Sequence, residues 1–432
     1  EVDVQFRDLS PYLRPPLQLE LAQRVSMAAY GGDRYSREGF GVPLAVVGPR
    51  CEDAAICQLL PPEGVFRGAT AWIESTSDDA VMRLVLADPL AVQSLQAGTR
   101  QFPLAYDLSA PYARGIQTSK LHRLAIWGLL GGQEVGRRAG LYLLEDYDPD
   151  KRPLVMIHGL GSSPLTWARL TNAVWGSPDL RANYQVWHVV YQTNAPLLVT
   201  RRRVQGYLDE AWSVLDPEGD DPARSRMVLV GHSLGGVIAR MLCVETGDTL
   251  WNAAFLAPPE ALAADAADRD VVESVFRFQP YPGVSRAIFI AAPHRGSPTA
   301  TRWLGRIARV LVGRRAPEMQ SLRRIAQDNP EAIRPELRKL YQRGSVNSIS
   351  TLQGPQPVRL AGEALVPVAT IPYHTIAGSL AANAGSDGVV PVESALLAGA
   401  ESTLVVPSGH NVHESPLAVA EVLRILGEGG SR

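Results

Sequence analysis

Two patterns of apolar residues divide the chain near residue 140. Before it, short segments broken by Pro and Gly read as strands, such as Ala69–Glu74 and Val81–Leu86. One stretch in this part, Leu17 to Tyr30, is amphipathic and is predicted as a helix. After residue 140, compact apolar runs alternate with helical stretches. Leu154–Ile157, Val186–Tyr191, Met227–Val230, Ala287–Ile290, His374–Ile376 and Leu404–Val406 form the series of candidate strands. Runs this uniformly apolar belong to strands covered on both faces, and helices between them imply a parallel sheet in an α/β domain. The predicted organisation is an accessory α+β region over 1–140 and an α/β domain over 141–432. Within the latter, the gap between the strands at Ile290 and Tyr373 is too long for a simple crossover. It is assigned to a helical cap or lid insertion over about 297–370. Inside it, Thr301 to Arg315 reads as one amphipathic helix with Trp303, Leu304, Ile307, Val310 and Leu311 on one face. Arg302, Arg306 and Arg309 form a stripe beside that face. Two readings stay open: a helix packed on the domain, or a lid that meets a lipid surface.

Composition narrows the field of functions. The 42 basic and 44 acidic residues leave no net basic field, so nucleic acid is not an expected partner. No apolar run approaches the roughly 20 residues of a membrane span. Three cysteines are too few for a disulfide scaffold. Cys243 is expected as a buried apolar residue on a helix. Cys51 and Cys57 either close a small loop in an oxidising compartment or remain as thiols. The chain opens on Glu1 and not on Met. It is read as a processed product, and export to the periplasm, cell surface or medium is the localisation expected.

The chemistry gathers in the second region. Gly231-His232-Ser233-Leu234-Gly235 follows an apolar strand directly and leads into an amphipathic helix. That strand, tight turn and helix make a nucleophile elbow, with Ser233 exposed at the sheet end. An acid and a base should follow in that order. Asp387, in Gly385-Ser-Asp-Gly-Val-Val-Pro391, is the acid candidate, with Glu393 as its neighbour and alternative. His410 and His413 both lie between the last strand and the last helix. His410, directly after Gly409, is preferred as the base and His413 is the alternative. An oxyanion hole needs two backbone N–H groups, assigned to Leu234 and to Leu160 in His158-Gly-Leu-Gly161. His158 is then a loop-positioning residue. No phosphate-loop motif, no Ca²⁺ loop and no other cofactor or metal signature is found.

Taken together, several stretches resemble the α/β-hydrolase superfamily, on its bacterial lipase and esterase side, in members with an extra N-terminal region. They are Gly140–Pro149, Ile157–Trp167, Gly231–Gly236, Ala292–Pro298, Ser386–Pro391 and the His410 loop. Pro103–Pro111 is similar to part of that extra region. The resemblance implies a mostly parallel sheet flanked by helices and a serine hydrolase acting on a small-molecule or lipid ester. Ser233, Asp387 and His410 would form its triad. Acyl transfer or amide cleavage by the same residues, and a non-catalytic binding protein on the same fold, are the alternatives.

Overall fold

A computed structural model describes residues 3–75, 82–119, 138–297, 316–344, 346, 356–381 and 385–429. The proposed helix Thr301–Arg315 lies outside these residues. Two sheets organise the chain. The first contains Asp3–Arg7 (β1), Gln18–Leu21 (β2), Val42–Gly48 (β3), Val65–Ser75 (β4) and Met82–Ala87 (β5), in the order β1-β5-β4-β3-β2. The segment predicted as a helix over Leu17–Tyr30 is instead β2 followed by two short 3-10 turns, Ala22–Arg24 and Ala28–Tyr30. The reason lies in its first residues. Gln-Leu-Glu-Leu alternates with period two, and pairing Leu19 with Val46 and Leu21 with Leu44 satisfies the backbone that a lone helix would satisfy internally. Ala22, Val25, Met27 and Tyr30 then bury into one cluster with Ala45 and Ala113.

The signature at Pro103–Pro111 has a structural job. Asp107 accepts hydrogen bonds from the N–H groups of Ser109 (3.0 Å) and Ala110 (2.8 Å), at the start of helix Ala110–Thr118 (α1). The same carboxylate pairs with Arg34. Its anchoring of a helix start follows from the unsatisfied N–H groups there. Cys51 and Cys57 form a disulfide. Cys243 is buried and free, and burial pushes its thiol up.

The second sheet carries the chemistry. Its strands are Gly140–Leu143 (β6), Arg152–Ile157 (β7), Tyr184–Val190 (β8), Met227–His232 (β9), Val284–Ile290 (β10), Tyr373–Gly378 (β11) and Ser402–Val406 (β12). They run in the order β6-β8-β7-β9-β10-β11-β12. Only β6 is antiparallel to its neighbour. In β7, Val155 and Ile157 enter one core and Leu154 and Met156 the other. That explains the unbroken apolar runs: each strand is covered on both faces. Helices Leu197–Leu215 (α2) and Leu234–Met241 (α3) serve the first of these layers, and Pro416–Gly429, the last helix, the second. Because β7, β9, β10, β11 and β12 are parallel, their C-terminal ends and the loops that follow collect on one side.

Among the described residues between β10 and β11 stand the helices Pro317–Asp328 (α4), Pro335–Arg343 (α5) and Pro357–Glu363 (α6). Met319, Leu322, Ile325, Leu337 and Tyr341 pack with Trp251, Phe255, Val272 and Phe276 in a third core. The two sheet regions touch through polar contacts. Asp146 accepts from Ser10 (2.8 Å) and from Arg67 (2.6 Å).

Candidate active site

Strand β9 ends in His232, and α3 begins at Leu234, so Ser233 occupies the whole turn between them. Its backbone has φ 54° and ψ −122°, a conformation rarely tolerated by a residue with a side chain. The surroundings hold it there. Its N–H donates to Ile290 O at 2.9 Å, tying the elbow to β10. Glycine is required on both sides. A Cβ on Gly231 would lie 2.4 Å from Gly235 O, and one on Gly235 would lie 2.0 Å from Ile157 O.

Asp387 and His410 reach the same point from separate loops. Ser233 Oγ lies 2.9 Å from His410 Nε2, and His410 Nδ1 lies 2.8 Å from Asp387 Oδ2. The other oxygen, Asp387 Oδ1, accepts from the N–H groups of Val389 (2.8 Å) and Val390 (2.6 Å). The carboxylate is buried and held in one orientation. A carboxyl oxygen accepting from Nδ1 fixes the tautomer with Nε2 free to accept a proton. Glu393 lies exposed on the short helix Val392–Ala395 and makes no contact with this set.

His413 lies elsewhere. It is buried, with Nε2 2.7 Å from Thr166 Oγ1 and its ring 4.1 Å from that of His232. Sequence reasoning missed His232. Its Nε2–H donates to the carbonyl of His410 at 2.9 Å, pinning the histidine loop from beneath. Burial and the neighbouring His413 and His410 hold its imidazole well below the usual range, so it is neutral. Its position inside the elbow motif was in plain view, but which histidine it would support depends on the return of the chain 178 residues later.

The loop after β7 lies against the elbow. A Cβ on Gly159 would be 3.0 Å from Ser233 Cβ. Leu160 follows it, and Gly161 N–H donates to Thr193 Oγ1 at 3.3 Å. Leu234 is the first residue of α3, where an N–H has no acceptor within the helix. Both assigned oxyanion donors are therefore on segments that border Ser233. His158 stacks on Tyr191 with ring centroids 4.5 Å apart, and its Nδ1 lies 3.0 Å from Gly159 O. Burial lowers its pKa to about 4. It is a neutral packing and loop-holding residue. His294 is also buried, set edge-on to Phe289 at 5.1 Å. It takes no part in the triad.

Among solved structures, the fold is similar to a mature lipase of Bacillus licheniformis, at 16% identity over 66% of this chain and 97% of that chain, with a TM-score of 0.34. It is also similar to a carboxylesterase of Bacillus subtilis, at 14% identity over 71% and 99% of the two chains, with a TM-score of 0.34. No curated protein matches the chain. The model of the alpha/beta hydrolase family matches residues 154–422, which run from β7 through the nucleophile elbow to the last helix. With that match across more than half its length, the chain belongs to the alpha/beta hydrolase family.

Proposed function

We propose that this protein hydrolyses carboxylic esters through an acyl-enzyme on Ser233. The observation that carries the reading is the continuous hydrogen-bonded line from Ser233 Oγ through His410 to Asp387. In the first half-reaction Ser233 Oγ attacks the ester carbonyl while His410 Nε2 takes its proton. Asp387, oriented by two backbone N–H groups, stabilises the imidazolium that forms. The N–H groups of Leu234 and Leu160 receive the oxyanion. Collapse of the tetrahedral intermediate breaks the C–O bond, and His410 returns its proton to the departing alcohol. Water then attacks the acyl-enzyme with His410 again as base, releasing the acid and restoring Ser233.

The substrate is a small-molecule or lipid ester. The Cys51–Cys57 disulfide supports an oxidising compartment outside the cytosol as the place of action. No helix among the described residues is long and apolar enough to cross a membrane. A fluorophosphonate probe and a series of p-nitrophenyl esters test the proposal together. Labelling that maps to Ser233 and disappears in Ser233→Ala, with ester turnover lost in parallel, is expected. Turnover that survives in a folded Ser233→Ala protein would refute it.

A further inference from the structure

A second cavity lies along α3, beyond the elbow. Its walls are apolar, with Leu197, Val237, Met241, Phe276, Leu322 and Tyr341 among them. Four polar or charged side chains share these walls: Arg240, His294, Gln356 and Arg359. Gln356 and Arg359 are partly exposed, whereas Arg240 and His294 are buried, at 2% and 3% exposure. Arg240 Nη1 donates to Leu365 O at 3.1 Å, but its Nε has no partner. The carboxylate acting on it electrostatically belongs to Glu363, and that group is already paired with Arg359. Among the described residues Arg240 forms no ion pair, and His294 has no hydrogen-bond partner on either ring nitrogen. Burial and the nearby charges of Arg240 and Arg295 keep its ring neutral.

This is an uncompensated arrangement. Burying a guanidinium without a counter-charge is unfavourable, and an imidazole with both nitrogens unsatisfied makes it more so. An anion would relieve both at once. A carboxylate matches the guanidinium fork, and the neutral His294 has one N–H to donate. The apolar part of the walls, from Leu197 to Phe276 and Leu322, suits a hydrocarbon chain. Arg240 stands seven residues after Ser233, roughly 10 Å along the helix axis.

We propose that this cavity is a binding site for a medium-chain carboxylate, its head on Arg240 and His294 and its tail along the apolar walls. The site goes beyond the hydrolase reading and does not need Ser233 to react.

Isothermal titration with three probes of one chain length, decanoate, decanol and decylammonium, tests it at neutral pH on the full chain. Decanoate is expected to bind roughly tenfold to a hundredfold more tightly than decanol, the gain of a charge-assisted hydrogen bond. Decylammonium should bind worst. Arg240→Met should erase the preference for decanoate over decanol, whereas Arg240→Lys, which keeps the charge, should retain part of it. His294→Phe, which fills the space without polar atoms, should weaken decanoate and leave decanol unchanged. A thermal melt verifies that each variant is folded. Equal affinity for the three probes, or an undiminished preference in folded Arg240→Met, would overturn the proposal. The source of the ligand is read from kinetics. Competitive inhibition of p-nitrophenyl decanoate hydrolysis identifies the occupant as the reaction product, and binding without inhibition identifies an independently supplied acid. Both results retain the site. A protein that prefers decanoate yet hydrolyses no ester would remove the hydrolase reading and leave this one standing.

Discussion

Acid should unfold this protein at a pH where most carboxylates are still ionised, because its interior holds several neutral histidines. His158 and His188 are 1% and 2% exposed. Burial lowers their pKa values to about 4 and about 3. In the unfolded chain a histidine has a pKa of about 6.5. Between those limits the unfolded state binds protons that the folded state does not, so stability rises with pH and falls on acidification. Going from about pH 7 to about pH 5, each of the two loses about 2 kcal/mol, or about 4 kcal/mol together. His232 and His294, both held well below the usual range by burial, act in the same direction. Asp88, whose carboxyl is raised by burial, acts in the opposite one. A domain has only about 5–15 kcal/mol of stability, so the loss is a large share of it. Urea unfolding followed by tryptophan fluorescence measures this, since Trp167, Trp187, Trp212 and Trp251 are all fully buried. The single-site control is His188→Gln. Whatever its absolute stability, its change in stability between the two pH values should be smaller by about 2 kcal/mol. A stability that stays constant between about pH 7 and about pH 5, or a His188→Gln protein with the same pH slope as the parent, would refute the reasoning.

Further outcomes follow from the site and its supports. His410→Ala should lose turnover by on the order of 10³-fold or more, while His413→Ala keeps most of its kcat and melts at a lower temperature, as steady-state kinetics and a thermal scan would record. Gly235→Ala would drive a methyl to 2.0 Å from Ile157 O. Displacing the elbow by about 1 Å should reduce kcat/KM by about 10²-fold, with fluorophosphonate labelling slowed in step. Reducing the Cys51–Cys57 bond frees a loop with a sequence separation of six. Denaturation with and without reductant should show a loss of about 2 kcal/mol.

Several parts of this architecture were legible in the sequence because the forces behind them are local. The strands at Leu154–Ile157 and Met227–Val230 were visible since burial on both faces demands an unbroken apolar run. The elbow was visible since its turn leaves no room for a side chain at Gly231 or Gly235. Asp387 was legible as a carboxylate in a tight loop after a strand. Leu17–Tyr30 was misread because a four-residue alternating segment is ambiguous until a partner strand is known, and that partner is Val42–Gly48. The cysteines at 51 and 57 had a suitable spacing, yet their bonding depended on how the loop between them folded.

The sequence by itself determined that a serine stands in a tight turn at the end of a parallel sheet, and that an aspartate and a histidine follow it in order. Only the tertiary structure decided which histidine meets Ser233. His410 and His413 are three residues apart on one loop, and the choice rests on the 3-10 turn at Val412–Glu414, which directs His413 inward to Thr166. The tertiary structure also decided that His232 holds that loop, and that Arg240, without an ion pair among the described residues, and His294 share the wall of one largely apolar cavity. These are contacts between residues far apart in the chain. Periodicity and motif spacing carry the preferences of single elements, whereas such contacts arise only when the elements pack.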